Sequence, residues 1–219
     1  MTTSTNPEID RVAAIYDEIA PTWDQRQGLV ERRFMGQAMR VALAHELRGD
    51  VLEIGTGTGP TLKLLAGNPN VTSFTGIDLS EGMLDHARQV TPRPDVPISL
   101  RTMNAEQLDF PDASFDTVTT SLTLCTVPDP ALALREMARV CREDGRIVLL
   151  EHVRAPNRVI AWLQGKLTPL QVRMLGCHFD RPTDQLVRDL GFTVERDDSR
   201  FFGIFHLIVA QPPDTPTLP

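Results

Sequence analysis

Blocks of apolar and polar residues alternate along the chain and predict strands and helices in turn. The apolar runs that predict buried strands lie at 50–54, 71–77, 97–102, 115–121 and 146–152. The stretches that predict helices between them lie at 60–66, 81–90 and 130–141. This alternation indicates a doubly wound α/β fold with a mostly parallel sheet.

The two ends of the chain depart from that rhythm. Helical spacing over Ile9–Ile19 and over about 29–47 predicts an N-terminal helical segment ahead of the first strand. Near the other end, a helix at 182–190 is expected to stop at Gly191, and the runs FTVERDDS and FGIFHLIVA predict two strands with a short connection. A short connection favours an antiparallel hairpin at the sheet edge. Residues 1–7 and 212–219 are expected to fray.

Composition and charge argue against several functional classes but do not identify the function. The 219 residues suit one domain with a sizeable core, and the net charge of −7 argues against a nucleic-acid-binding protein. No apolar run approaches the ~20 residues of a membrane span, and the N-terminus does not resemble a signal peptide. The three cysteines, Cys125, Cys141 and Cys177, lack C-x-x-C spacing. We therefore expect a cytoplasmic protein with no disulfide framework, no metal site and no stable membrane insertion.

The segment VLEIGTGTGP, Val51–Pro60, is the strongest chemical signal. Gly55, Gly57 and Gly59 follow the first predicted strand, where a tight reversal toward a helix needs positive φ. The second strand ends at Asp78, whose carboxylate can accept hydrogen bonds from both hydroxyls of a ribose. Such a strand–turn–helix–strand unit binds the adenosine half of a nucleotide-like cofactor.

Two residues of this segment argue against a dinucleotide. Pro60 stands where a dinucleotide fingerprint has its third glycine, which disfavours an NAD-dependent reductase. Glu53, just before the turn, would repel a phosphate but suits an ammonium group. S-adenosylmethionine (SAM) has a ribose, a cationic sulfonium and an amino-acid tail, and no phosphate. The pattern therefore favours SAM.

Four motifs together resemble the class I SAM-dependent methyltransferases over about residues 10–212. They are VLEIGTGTGP, FTGIDLSEGML, NAEQLDFPDASFDTV and VCREDGRIVLLEHV. The resemblance implies a single Rossmann-like domain over 1–219, with strand order 3-2-1-4-5-7-6 and an antiparallel C-terminal hairpin. It also implies that SAM is the cofactor. The cofactor-binding residues that it implies are Tyr16, Glu53, Gly55, Gly57, Gly59, Asp78, Leu79, Met83, Asn104, Ala105, Glu106 and Ser121.

The N-terminal segment YDEIAPTWD resembles one found in the ubiquinone-biosynthesis and phospholipid N-methyltransferase-like groups. In those groups the segment forms a lid over the cofactor, so residues 8–47 are expected to form a helical lid. Tyr16 would then close over the sulfonium, because an aromatic face attracts a cation. Ordinary core packing of Tyr16 is the alternative.

A narrower resemblance follows the fifth strand. EHVRAP, a Trp, a Pro and GCHFDR resemble the alkyl-thiol methyltransferase group and make 155–181 an acceptor-side insertion. His152, at the carboxyl end of strand five, is the best candidate for a general base, although a structural histidine is as plausible. His178 is a further catalytic candidate, with Tyr16. Cys177 and His178 are adjacent and make poor joint metal ligands.

These observations favour a methyltransferase that acts on a heteroatom (S, O or N) of a small molecule, with a thiol slightly favoured. A phospholipid or quinone methyltransferase at a membrane surface is the first alternative, opposed by the acidic charge and by the lack of an evident basic amphipathic helix. A SAM-binding protein without catalysis is the second. The sequence leaves the acceptor and the oligomeric state open.

Overall fold

A seven-stranded sheet crosses the molecule with the order β3-β2-β1-β4-β5-β7-β6. The computed structural model describes residues 6–30, 35, 37–90 and 95–213, and for 26–30 it describes the backbone alone. The strands are β1 Gly49–Ile54, β2 Val71–Asp78, β3 Ile98–Thr102, β4 Phe115–Ser121, β5 Cys141–His152, β6 Thr193–Arg200 and β7 Phe205–Gln211. β1 to β5 pair in parallel, and β7 runs antiparallel to both β5 and β6. The predicted fold class and strand order are confirmed.

Helices pack on both faces of this sheet. They are α1 Pro7–Val30, α2 Gln37–Glu46, a short 3-10 helix Leu62–Gly67, α3 Glu81–Ala87, α4 Pro130–Val140, α5 Arg158–Leu175 and α6 Thr183–Asp189. One core joins α4 and α6 to the sheet through residues such as Met137 and Val187. A second core joins α2 and the 3-10 helix to the opposite face through Leu43 and Leu62. The two cores are the expected result of a doubly wound topology.

The N-terminal helix is longer than the apolar spacing predicts. α1 continues through Pro21 to Val30, although Pro21 removes one backbone donor. The apolar spacing does not mark this extension, because the side chains of residues 21–25 are exposed or only partly buried. The predicted helix over about 29–47 is represented by α2, and part of that range lies outside the described residues.

Two predicted boundaries also shift. The predicted helix at 60–66 is a 3-10 helix that begins at Leu62, with Pro60 in the turn before it. β5 begins at Cys141 rather than at the predicted residue 146, and Glu143–Gly145, whose residue types favour a turn, lie inside it as a bulge. The pairing shows this bulge directly, because Cys141 pairs with Phe115 and Arg146 with Thr117.

The C-terminal predictions agree closely with the structure. Gly191 follows α6 with φ +83°, as expected of a residue that ends a helix. The 155–181 range contains α5, which is capped by the Asn157 side chain and ended by Gly176 at φ +67°. Among the described residues, no helix combines the length and the apolar character needed to cross a bilayer.

Candidate active site

A cavity of about 270 Å³ opens at the carboxyl ends of β1, β2 and β4. Ligands of open α/β sheets bind at this edge. Ten of the twelve predicted cofactor residues line it, and they are Tyr16, Glu53, Gly55, Gly57, Asp78, Leu79, Met83, Asn104, Ala105 and Ser121. Gly59 and Glu106 lie outside the lining. The cavity therefore unites most of a residue set that the sequence spreads over more than a hundred positions.

The glycine turn forms one wall of this cavity. Gly55 and Gly57 have φ of +68° and +54°, as the tight reversal requires. A Cβ at Gly57 would meet no atom within 4 Å, so this position leaves room beside the backbone. A Cβ at Gly55 would lie 2.2 Å from Oγ1 of Thr123. Gly59 instead packs toward Leu62, where a Cβ would lie 3.0 Å from Cδ1.

Two carboxyl groups stand on either side of the turn. Burial raises the pKa of Glu53 to about 7, although the hydrogen bond from Thr56 and the charge of Arg40 act in the opposite direction. The Thr56 hydroxyl donates to Oε2 of Glu53 over 2.6 Å. Burial also raises the pKa of Asp78 to about 6, against the lowering effect of backbone amides. A cation in the cavity would favour the ionised form of both groups.

Asp78 is held by the turn that it faces. The Gly57 amide donates to Oδ2 at 2.8 Å, and the Ser80 amide donates to Oδ1 at 2.9 Å. Each carboxylate oxygen has a second lone pair for a further hydrogen bond. Asp78 therefore both fixes the glycine turn and keeps acceptor capacity toward the cavity.

Arg40 is a cavity residue that sequence reasoning missed. It projects from α2 and is only 6% exposed, with Nη1 donating to Oγ of Ser121 at 2.9 Å. The signal in the sequence was an arginine beside the buried positions Met39 and Leu43 of the same helix. A buried arginine needs partners, which places its charge in a polar site.

Two aspartates of YDEIAPTWD tie α1 to the cavity rim, and both were missed. Oδ1 of Asp17 accepts hydrogen bonds from the Ser80 hydroxyl at 2.5 Å and from the Gly82 amide at 3.0 Å. Asp24 accepts a hydrogen bond from the Thr58 hydroxyl and pairs with Lys63 at 3.2 Å. The two aspartates are seven residues apart, so they share one face of the helix.

Two aromatic side chains of α1, Tyr16 and Trp23, each immediately precede one of these aspartates in the sequence. The rings of Tyr16 and Trp23 pack edge to face with centroids 5.4 Å apart, and both line the cavity. Burial and the nearby Cys125, Cys177 and Asp78 raise the pKa of Tyr16 well above its ordinary value. Its hydroxyl therefore stays protonated at neutral pH and can donate a hydrogen bond.

The predicted adenine edge is only partly in the cavity. Asn104 and Ala105 line it, and Oδ1 of Asn104 accepts the Glu106 amide at 3.0 Å. The Glu106 carboxylate turns away and accepts the Asp129 amide at 2.8 Å. Glu106 thus orders the loop that leads into α4 instead of lining the cavity.

Neither predicted catalytic histidine lines the cavity. His152 is buried beside Phe179, with ring centroids 5.1 Å apart, and its Nε2 lies 3.3 Å from Sγ of Cys177. The backbone amide of His178 donates to the Cys125 carbonyl at 2.8 Å. Only Tyr16, of the three catalytic candidates, reaches the cavity wall.

Comparison with known proteins agrees with this geometry. A model of the methyltransferase domain family matches residues 52–149. The phosphatidylethanolamine N-methyltransferase of Cereibacter sphaeroides is 38% identical over 143 residues, which cover 64% of this chain and 68% of that protein. The chain is a class I SAM-dependent methyltransferase. Its cofactor is SAM, and it acts on a small molecule.

Other relatives of this methyltransferase act on different acceptors. The ubiquinone/menaquinone biosynthesis C-methyltransferase UbiE of Geotalea uraniireducens is 33% identical over 152 residues, 65% of this chain and 63% of that protein. A chain of the Haloferax volcanii complex between the Trm112 methyltransferase activator and a methyltransferase has a TM-score of 0.70 at 21% identity, over 90% of this chain and 97% of that one. The last similarity concerns the fold alone. The acceptor does not follow from these relatives, because their own names differ in the atom methylated.

Proposed function

We propose that this methyltransferase transfers the methyl group to a heteroatom of a small molecule, with a thiol preferred to an amine or a phenol. The supporting observation is the set of ionisable side chains in the cavity wall. Within the described part of the chain they are Tyr16, Asp24, Arg40, Glu53, Lys63 and Asp78. No histidine or cysteine is among them. Methylation of carbon would need a base to remove a proton from the acceptor, and this wall offers none that is free for the task.

Three features make the cavity suitable for SAM. Gly57 leaves space beside the backbone, and Asp78 keeps acceptor capacity for ribose hydroxyls. Burial leaves Glu53 partly protonated when no cation is near. An ammonium group would favour the ionised form of Glu53, which would then balance the positive charge of the ligand. We propose that Leu79, Met83, Asn104 and Ala105 enclose the adenine and that Ser121 lies at the methionine end.

The methyl group of bound SAM is carried by a positively charged sulfur. The chain's own residues then have two tasks, which are to align the acceptor and to exclude water. Positioning of this kind can contribute about 7–11 kcal/mol in favourable cases. We propose that residues 8–47 act as a lid, with Asp17 and Asp24 holding α1 over the cavity. The faces of Tyr16 and Trp23 would favour the sulfonium cation.

The acceptor must arrive with a free lone pair. An ordinary thiol has a pKa near 8.5 and a phenol near 10, so a thiol loses its proton more readily at neutral pH. Because the Tyr16 hydroxyl stays protonated, we propose that it donates a hydrogen bond that positions the acceptor. Tyr16 would then touch the acceptor directly, whereas His152 and His178 would act only through their neighbours.

A panel of acceptors tests this proposal. Small thiols, amines, phenols and quinols are incubated with SAM and the protein, and methylated products are separated by mass spectrometry. We expect sulfur methylation to be fastest, with no product from Asp78→Ala. Methylation of a quinol carbon alone would contradict the proposal.

A second candidate is action at a membrane surface on a lipid acceptor. The observation in its favour is α5, which carries exposed apolar side chains together with Arg158, Lys166 and Arg173 and no acidic residue. Trp162 is 61% exposed. The other exposed apolar residues of α5 are Val159, Leu163, Leu167, Leu170 and Met174. α5 thus has the basic and apolar character of a helix that lies on a membrane surface, which was not evident from the sequence.

The turn between β6 and β7 extends this surface. Phe202 is 71% exposed, and a Cβ at Gly203 would lie 2.9 Å from Cδ of Pro156, just before α5. Apolar side chains beside basic ones favour an anionic lipid surface, despite the acidic charge of the whole chain.

Co-sedimentation with vesicles tests the second candidate. The wild type should sediment with vesicles of phosphatidylcholine and phosphatidylglycerol and should do so less with phosphatidylcholine alone. A Trp162→Ser, Phe202→Ser double variant should remain in the supernatant. Leu132→Ser is the matched control, because Leu132 is an exposed apolar residue on α4. Equal sedimentation of all three proteins would contradict lipid docking through α5.

A further inference from the structure

Three side chains with metal-binding chemistry meet at the loop after β4, part of which lines the cavity. Cys125 lies in the loop after β4, His152 ends β5, and Cys177 follows α5. Their two sulfurs and one imidazole nitrogen all lie within 4.8 Å of one another, with Sγ of Cys177 3.3 Å from Nε2 of His152. This Cys125–His152–Cys177 cluster is assembled only by the fold.

The backbone around the cluster is firmly held. The His178 amide donates to the Cys125 carbonyl at 2.8 Å and so joins two of the three segments. The buried Glu151 accepts the amides of Thr123 and Leu124 at 3.0 and 3.2 Å, which fixes the loop that carries Cys125. The ligand atoms are therefore preorganised, which lowers the entropic cost of binding an ion.

The cluster is shielded from solvent. Cys125 and His152 are 2% and 7% exposed, and Cys177 is half-buried. Cys125 lies between Thr123 and Thr126, which both line the cavity, while Cys125 itself does not. The cluster thus lies at a loop that forms part of the cavity wall, and Cys177 is its most exposed member.

The donor set selects the type of ion. Two cysteine sulfurs and one imidazole favour Zn²⁺ over hard cations such as Mg²⁺ and Ca²⁺, and two thiolates would balance its charge. Bonds of about 2.3 Å to sulfur and about 2.0–2.1 Å to nitrogen put tetrahedral ligand atoms roughly 3.4–3.8 Å apart. Movements of about 1 Å or less would bring the cluster to this spacing. Three protein ligands with a fourth position open are typical of zinc sites that bind an exogenous ligand.

We propose that Cys125, His152 and Cys177 bind one Zn²⁺ ion, with the fourth position taken by water or a small thiolate. The ion would clamp the loop that walls the cavity to the end of β5 and the segment after α5. From the sequence we expected no metal site, because the three cysteines lack C-x-x-C spacing and the adjacent Cys177 and His178 make poor joint ligands. This site does not depend on which acceptor the enzyme methylates.

Cobalt spectroscopy on the full chain tests the proposal. The protein is purified under reducing conditions, stripped with a chelator and titrated with Co²⁺. We expect thiolate-to-cobalt charge-transfer absorption in the near ultraviolet that saturates at one equivalent and disappears when Zn²⁺ is added. Cys125→Ser and Cys177→Ser should each weaken this absorption strongly. Cys141→Ser is the matched control, a buried cysteine outside the cluster, and should retain it.

Two spectroscopic results would overturn the site. One is the absence of charge-transfer absorption in the reduced wild type, which requires no variant to fold. The other is a spectrum that stays unchanged in both Cys125→Ser and Cys177→Ser while circular dichroism shows them folded. A Cys125–Cys177 disulfide that persists in the reduced preparation would also contradict metal binding.

Discussion

The hydroxyl of Ser80 donates a hydrogen bond to Oδ1 of Asp17 over 2.5 Å, and this contact joins α1 to the N-terminus of α3. Ser80 also caps α3 by accepting the Met83 amide at 3.0 Å. Two helical turns further along α1, Asp24 holds Thr58 in the glycine turn. The proposed lid is thus fastened to both cofactor-binding segments by carboxylates of one short motif.

Removal of both carboxylates should loosen the proposed lid. Each hydrogen bond to a charged group contributes about 1.5–3 kcal/mol at most. An Asp17→Asn, Asp24→Asn double variant should therefore bind SAM about tenfold more weakly, measured by isothermal titration. Glu18→Gln is the control, because Glu18 is exposed on the same helix. Equal affinity of all three proteins would argue that α1 does not act as a lid.

The Gly57→Ala substitution should weaken SAM binding much more than it lowers the stability of the fold. Its φ of +54° costs an alanine about 1–2 kcal/mol, and its Cβ would project into free space in the cavity. We expect a folded protein that loses most SAM affinity. Gly67→Ala is the control, because its Cβ also meets nothing within 4 Å but it lies outside the cavity lining. Retained SAM affinity in Gly57→Ala would contradict a cofactor beside this turn.

Gly55→Ala should instead destabilise the fold. The new Cβ would lie 2.2 Å from the Thr123 side chain, and φ is +68°. Urea denaturation should show a free energy of unfolding reduced by about 2–4 kcal/mol. A loss below about 1 kcal/mol would contradict both the steric conflict with Thr123 and the cost of a positive φ at this position.

The protonation of Glu53 should make the free energy of unfolding depend on pH. Burial raises its pKa from 4.5 to about 7, so the folded protein keeps a proton that the unfolded chain has lost. This contribution to stability is complete below about pH 4.5 and is lost as pH rises through 7. Glu53→Gln should therefore be more stable than the wild type at pH 8, by about 1–3 kcal/mol, but not at pH 4.5.

The affinity for SAM should instead increase as pH rises, because it depends on the ionised form of Glu53. A cationic ligand prefers ionised Glu53, so the wild-type affinity should fall by several-fold as pH falls from 8 to 6. The Glu53→Gln variant should bind more weakly at pH 8 and lose most of this pH dependence. An equal pH dependence in both proteins would assign the effect to another group, such as Asp78.

Arg40 lines the cavity and should favour the ionised form of Glu53. Its charge lowers the pKa of Glu53, and Nη1 bonds Ser121 at 2.9 Å. Arg40→Met should raise that pKa further and weaken SAM binding at pH 7 more than at pH 8.5. A loss of affinity that is equal at both values would show that Arg40 acts only by packing.

The sequence predicts the sheet well because each strand is a local apolar run. The glycine turn after β1 is likewise recognised from its own residues. The positive φ of Gly55 and Gly57 and the site of Asp78 followed from short motifs. Side chains that depend on tertiary contacts were not predictable in this way. Arg40 looks like one more charge on a helix until α2 packs against Ser121.

Residues on the acceptor side depend on tertiary contacts in the same way. His152 ends a strand at the ligand-binding edge, but it does not line the cavity, and its Nε2 lies 3.3 Å from Sγ of Cys177. Cys125 and Cys177 have no spacing that signals a joint site, because three separate elements bring them together. The exposed apolar face of α5 was not predicted, because apolar residues at helical spacing are equally typical of a helix that packs against a core.

Titration of SAM into the wild type and into Asp78→Ala tests the central claim most directly. Asp85→Asn is the control, because Asp85 is an exposed aspartate on α3 that pairs with Arg88 at 2.7 Å. We predict one SAM per chain for the wild type and the control, and at least tenfold weaker binding for Asp78→Ala. No binding by the wild type, or equal binding by Asp78→Ala, would contradict a cofactor site built on the glycine turn and Asp78.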